Sequence, residues 1–284
     1  VPQSLTTGFS YVTKNVGEMQ NAGIEAMINA SIIRTKDFSW DINYTYTYNK
    51  NKILKLATDE PITSTYNIQE VGKAVNTFYL PEWAGVDPET GEGLWYTNGA
   101  GSATTTDVNQ AKQVCLGQAA PKYYGALGMN FKYKNFDLSF SSNYSGGNKI
   151  FNRGLQYDIH CGHYKLGPVS EYVFKNSWKE PGDITNVPKF IWGGNTGCAQ
   201  RTSRFLLDAD YIRLENVTLG YTLPSSVCRN IYLSKLRVYI SADNLFTLTK
   251  GDFLAFDPQA RADGFVHWAY PSATTVLLGV SVGF

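Results

Sequence analysis

The feature that most constrains this chain is alternation. From Phe38 to Tyr48 every second residue is large and apolar or aromatic: Phe38, Trp40, Ile42, Tyr44, Tyr46 and Tyr48. The residues between and after them are Ser39, Asp41, Asn43, Thr45, Thr47 and Asn49. A period of two sends these two sets to opposite faces of a β-strand. A soluble sheet also buries one face, but six large residues in unbroken alternation suit a strand whose outer face meets lipid. Six further segments behave alike. Residues 24–34 align Ile24, Ala26, Ile28, Ala30 and Ile32, and residues 123–133 align Tyr123, Gly125, Leu127, Met129, Phe131 and Tyr133. Residues 136–144 align Phe136, Leu138, Phe140 and Tyr144, and residues 211–222 align Val217, Leu219 and Tyr221. Residues 235–246 align Leu236, Val238, Ile240 and Ala242, and the last segment aligns Val276, Leu278, Val280, Val282 and Phe284. Each is about 9–12 residues long, the length a tilted strand needs to cross a bilayer.

Composition narrows the choice further. Charged residues are 17% of the 284, where soluble domains carry roughly a quarter. Aromatics reach 14%, with 19 tyrosines, and the hydrophobic content of 43% excludes a disordered chain. No apolar run reaches about 18 residues, so no transmembrane helix is expected. With 25 basic and 24 acidic side chains there is no basic excess of the kind nucleic-acid binding needs.

The connections alternate in length. Residues 35–37 and 134–135 are tight turns, and 223–234 is a modest one opened by Pro224. Residues 51–121, 147–209 and 247–272 are long. Bacterial outer-membrane barrels have short periplasmic turns and long outer loops, and one orientation puts all three long loops outside. Seven strands are an odd number where single-chain bacterial barrels have even ones. The chain begins at Val1 with neither an initiator Met nor a signal peptide, and ends within a strand pattern. The expectation is therefore one domain, residues 1–284, forming the C-terminal portion of a larger barrel.

Chemistry-bearing motifs are sparse. There is no G-x-S-x-G, H-E-x-x-H or phosphate-binding loop, so no enzyme is expected. Asp208 and Asp210 are expected to be exposed strand-end residues. Asp87–Gly93 lacks the ligand order of a calcium loop, and its Pro88 and Gly91 suit a hairpin turn between Trp83–Val86 and Leu94–Thr97. His160, Cys161 and His163 cluster without the further ligands a metal needs, and no cofactor is expected. Cys115, Cys161 and Cys198 fall in outer loops, whereas Cys228 falls in a periplasmic turn beyond bridging distance. One bridge among the outer three is expected, with Cys161–Cys198, which share a loop, the favoured pair. Aromatics able to touch a ligand or a lid are Tyr157, Tyr164, Trp178, Trp192, Phe253 and Trp268, with Phe256 beside them. Asp41, Asn43, Asn49, Arg213, Arg237 and Asp243 should line the lumen or its rim.

Five stretches, in order, resemble SusC/RagA-like TonB-dependent transporters of the Bacteroidetes type. They are Asn15–Glu25, Glu82–Gly91, Trp178–Asp183 with Pro188, Asp210–Pro224, and Leu236–Phe246 with Asp257-Pro258 and Tyr270-Pro271. The resemblance implies a barrel of about 22 strands around a plug, in the outer membrane of a Gram-negative bacterium. It also implies a SusD-like surface lipoprotein as lid, contact with the TonB complex through regions outside this chain, and a glycan or peptide substrate. Phe284, after alternating valines and leucine, resembles the terminal aromatic that signals barrel assembly. Two other readings stand beside this one, a soluble β-rich carbohydrate-binding domain and a passive porin.

Overall fold

The computed structural model describes residues 17–58, 60–194, 196–251, 257–259, 262–267 and 270–284. Its largest element is a seven-stranded antiparallel sheet. The strands are β1 (Glu18–Arg34), β2 (Phe38–Lys55), β3 (Tyr123–Tyr133), β4 (Phe136–Gly146), β5 (Tyr211–Thr222), β6 (Lys235–Thr249) and β7 (Thr275–Gly283). Sheet order equals chain order, so each strand pairs with the one before it, as in the wall of an up-and-down barrel.

The register explains why the alternation matters. Antiparallel partners stand on the same face. Ile24 is opposite Tyr48, Tyr48 opposite Tyr123, and Tyr123 opposite Gly146. Lower down, Trp40 faces Phe131, Phe131 faces Leu138, Leu138 faces Leu219, Leu219 faces Ile240, and Ile240 faces Leu278. One unbroken apolar band therefore crosses all seven strands, with Ile24, Ile28, Ile240, Leu278 and Val280 exposed. The periplasmic end of the band is aromatic: Trp40 stacks on Phe131 at 5.7 Å and Phe136 packs on Tyr221 at 4.7 Å. Such girdles sit at the membrane interface. Within the band the Tyr144 hydroxyl donates to that of Tyr44 at 2.7 Å, so neither phenol meets lipid unpaired. Gly125 makes room for this pair, because a Cβ there would come within 2.6 Å of the Tyr144 oxygen.

Two details depart from simple alternation. A bulge between Ser31 and Ile33 passes the lipid face from the even residues to Ile33, which stands opposite Trp40, so Ile32 does not continue that row. The strands also run further outward than periodicity predicts, β1 starting at Glu18 and β2 reaching Lys55. There both faces turn polar, through Asn49, Lys50, Asn51 and Lys52, so the ladder outlasts its hydrophobic signal.

The three long connections fold together above the wall. The first contributes strands at Ile62–Thr63, Asn67–Gln69, Thr77–Pro81 and Gln113–Gln118, which form one small sheet. A second small sheet joins Trp83–Val86, Gly93–Tyr96 and Thr104–Thr105. A third unites the second and third connections, with Lys149–Asn152 between Leu206–Asp208 and Phe265–Val266. Helices α1 (Arg153–Asp158) and α2 (Glu171–Asn176) complete this cap. Its core draws Phe78 and Leu80 from the first connection and Phe151, Leu155, Val173, Val187 and Phe205 from the second, with Phe265 of the third packed on it. Full burial of each such side chain contributes about 1.5–3 kcal/mol. The described hydrophobic core thus lies in the loops.

Candidate functional site

The cap is the part of the chain shaped for recognition, and its rigidity starts in the hairpin Trp83–Tyr96. Asp87 opens the turn, its Oδ1 accepting the Glu89 backbone N–H at 2.9 Å. That hydrogen bond holds the Asp87 carboxyl below the usual carboxylate range. The hairpin docks on the second connection through polar struts. Trp83 Nε1 donates to Asn186 Oδ1 at 2.7 Å, and Trp178 Nε1 donates to the Pro88 carbonyl at 2.9 Å. Trp95 is buried edge-on against Trp83, with ring centroids 5.5 Å apart. Gly197, at φ +77°, lets the backbone close over the Trp95 ring, which a Cβ there would strike.

Cys161 and Cys198 are joined by a disulfide, with Cα atoms 5.8 Å apart, inside the cap core. Arg204 braces the bridge, its Nη1 donating to the Cys198 carbonyl at 2.6 Å and to the Ile159 carbonyl at 3.3 Å. Burial pushes the Arg204 guanidinium down to about 10, so it stays charged at neutral pH. His160 is buried beside the bridge. Its Nδ1 accepts the Tyr164 backbone N–H at 3.2 Å, and its Nε2 faces the Pro168 carbonyl at 3.3 Å. Both ring nitrogens are engaged by backbone, which gives this histidine a structural task. Cys115 and Cys228 carry free thiols.

The ligand-candidate aromatics divide by position. Tyr157 and Tyr164 stack at 5.0 Å, and burial raises the Tyr164 phenol. Trp178 is the strut described above. Trp192 is 67% exposed and sits in a run with Phe190 and Ile191, also exposed. The Ile191 backbone N–H donates to the Cys161 carbonyl, which sets this run beside the disulfide. Leu166, Phe174 and Ile184 add further exposed apolar side chains on the second connection. Phe253, Phe256 and Trp268 lie outside the described residues. Phe284 follows β7 and is exposed.

On the inner face of the wall, polar side chains pair across strands. Arg237 binds Asp137 through Nε at 3.0 Å, and Asn216 donates to Asp243 at 2.7 Å. Asp41 accepts from Ser31 and lies 3.5 Å from Arg34. Arg213 does more than line the lumen. It is 4% exposed, pairs with Asp257 at 2.7 Å, and donates to Thr247 at 3.0 Å. Asp257 also accepts the Gln259 and Ser272 backbone N–H groups. This clasp pins the third connection to the wall. Burial opposes ionisation of Asp257, but the Gln259 N–H and the Arg213 guanidinium outweigh it and hold the carboxyl below its usual range. Sequence reading picked out both residues but could not join them, because 44 positions separate them.

Asp208 and Asp210 are not free strand-end carboxylates. Asp208 binds Lys149 at 2.7 Å and Lys250 at 3.4 Å, and Asp210 accepts from Tyr123 and the Gly147 backbone. The Lys149 hydrogen bond lowers the Asp208 carboxyl.

Comparison with known proteins agrees with this architecture. No protein-family model matches the chain. It is 28% identical over 311 residues to the TonB-dependent receptor P3 of Formosa agariphila, covering 98% of the chain and 30% of that protein. It is 28% identical over 292 residues to the TonB-dependent receptor SusC of Bacteroides thetaiotaomicron, covering 96% of the chain and 27% of SusC. Among solved structures, the RagAB peptide importer in its closed-closed state matches the whole chain with a TM-score of 0.83 and 28% identity, over 32% of that chain. The chain thus spans about a third of the length of the relatives it matches. Alternating lipid face, short turns, long outer loops and these likenesses define an outer-membrane β-barrel segment. Within that class, the chain is similar to part of the SusC/RagA-like TonB-dependent transporters.

Proposed function

We infer that this segment forms part of the wall and outer vestibule of an importer driven through TonB, taking up oligosaccharides or peptides. The observation that carries this is the interlocked cap. Three connections share one core, so the mouth of the barrel is a preformed surface. Preformed surfaces lose less entropy on binding. A SusD-like surface lipoprotein docks on exposed apolar side chains of the second connection, the run Phe190, Ile191 and Trp192 above all. Exposed patches of this kind mark protein contacts on soluble faces. Tyr157, Tyr164, Trp178 and Trp192, with Phe253 and Trp268, are the candidate aromatic contacts for ligand or lid. Residues 1–284 contribute wall and cap in this reading, and the plug and the TonB contact belong to other parts of the transporter. The edges of the sheet, β1 and β7, need neighbouring strands in lipid, which a larger barrel supplies.

The test is purification of the native protein from outer membranes in mild detergent, with mass spectrometry of every component. A parent chain of transporter size with a co-purifying surface lipoprotein supports the proposal. A parent chain that never carries a lipoprotein, and whose loss leaves uptake of oligosaccharides and peptides unchanged, overturns it.

A further inference from the structure

Six lysines gather on the outer flank of the wall, just beyond the lipid band. On β2 the lipid-facing row Tyr44, Tyr46, Tyr48 continues into Lys50 and Lys52, which stand opposite Ala22 and Gln20 and are exposed. At about 3.3 Å per residue, Lys50 sits about 7 Å beyond Tyr48 and Lys52 about 13 Å beyond it. Lys52 leads to Gly72, whose Cβ position lies 4.0 Å from Lys52 Cε, and hence to Lys73. Lys73, Lys122, Lys149 and Lys250 then line a cavity of about 380 Å³ with Gly117, Gly147, Asp208 and Asp210.

The side of the wall is fixed by neighbours. Ala209 and Tyr211, which alternate with Asp208 and Asp210, line an adjoining cavity with Pro258 and Gln259, and Asn148 borders both. Asp210 accepts from the hydroxyl of Tyr123, which shares the lipid face with Tyr48. Asp210, and with it this edge of the lysine cavity, therefore stands on the lipid-facing side of the wall, at the height of the outer-leaflet headgroups.

The charge balance leaves anion-binding capacity there. Asp208 holds Lys149 and Lys250 together, and Asp210 is engaged by Tyr123 and Gly147. Glu70 lies 3.4 Å from Lys73. Six ammonium groups thus face three carboxylates, and Lys50, Lys52 and Lys122 have no ion pair among the described residues. Lysines at this depth lay their methylene stems along apolar surface and present the ammonium to headgroups.

We propose that this lysine crescent binds the phosphate groups of an anionic glycolipid in the outer leaflet, anchoring the flank of the barrel. The contact of Asp210 with the lipid-facing Tyr123 favours a lipid headgroup over a lumenal substrate as occupant. The tyrosine row below supplies the lipid-facing surface against which acyl chains lie, so the site is a continuation of the membrane contact.

The test is native mass spectrometry of the full transporter in mild detergent, titrated with diphosphorylated lipid A, its dephosphorylated form, or inorganic phosphate. The variant is K50Q/K52Q/K122Q/K250Q, and the control is K36Q/K134Q/R229Q at the opposite rim. Wild type and control should retain phosphorylated lipid A. The crescent variant should bind it at least about tenfold more weakly, since each basic residue adds to anionic-lipid attraction. Heat-modifiable gel mobility should show every variant folded. Equal binding of the dephosphorylated lipid, or undiminished binding by the folded crescent variant, overturns the proposal. Inorganic phosphate binding as tightly as the lipid makes the crescent a free-anion site and overturns the lipid assignment.

Discussion

The wall and the cap are built from one chain by opposite rules. In the wall, β1–β7 expose their large side chains: Ile24, Ile28, Ile240, Leu278 and Val280 all face outward. In the cap, Phe78, Phe151 and Phe205 are fully buried. The wall is stabilised by a backbone ladder and needs lipid around it. The cap is stabilised by apolar burial, a disulfide and buried polar struts, as a water-soluble domain is. The difference teaches that the loops of a barrel can carry a hydrophobic core of their own, distinct from the lipid-facing wall.

That comparison can be broken at several points. Phe151→Ala removes a ring at the centre of the cap, where such truncations cost about 3–5 kcal/mol. Limited proteolysis should then cut the connections around residues 56–121 and 147–209, while heat-modifiable mobility of the barrel stays normal. Loss of the folded barrel band instead would show that wall and cap are one cooperative unit. Ile240→Arg puts a charge in the lipid band, costing about 2–4 kcal/mol near the bilayer midplane. Ser241→Arg, one residue on and facing the lumen, should cost far less. Equal losses in urea-unfolding titrations would contradict the assigned faces.

Replacing both Cys161 and Cys198 by serine should cost the cap about 2–4 kcal/mol. The thermal transition of the cap should fall and that of the wall should not. The Arg213–Asp257 clasp gives the pH dependence. The Asp257 carboxyl titrates below its usual value in the folded state. Its contribution is therefore complete above the unfolded pKa of about 3.9 and is lost as pH falls through the lower folded value. Hydrogen exchange of described residues in 257–274 should accelerate as pH falls through that window, after correction for intrinsic rates. The Asp257→Asn variant should exchange fast already at neutral pH, and a variant as protected as wild type would remove the clasp from the account. Deleting Phe284 should leave folding energy almost unchanged but lower the assembled population in the outer membrane, read as heat-modifiable barrel yield.

The wall was legible in the sequence because its signal is local. Six residues from Phe38 to Tyr48 carry their own phase, and the tight turns at 35–37 and 134–135 keep it between strands. Where the local signal stops, so does legibility. The bulge between Ser31 and Ile33 changes the face without changing composition. The outward extensions of β1 and β2 carry polar residues on both faces. The cap core was not legible, because Phe78, Phe151, Phe205 and Phe265 come from separate stretches and share no period. Arg213 and Asp257 each stood out, but their pairing depends on how the last connection folds back. The lysine crescent was missed for the same reason: Lys50 and Lys52 follow the tyrosine row in sequence, whereas Lys73, Lys122, Lys149 and Lys250 join them only in space.

The most direct test of the account is which side of the membrane each end of the wall occupies. In a background with Cys115 and Cys228 replaced by serine, Trp192→Cys places one thiol on the cap and Tyr232→Cys places one in the turn between β5 and β6. Both native side chains are well exposed. Intact cells treated with a membrane-impermeant maleimide should label Trp192→Cys, and Tyr232→Cys only after the outer membrane is opened. Labelling of Tyr232→Cys in intact cells, with Trp192→Cys protected, would contradict the orientation on which the cap and the lysine crescent both depend.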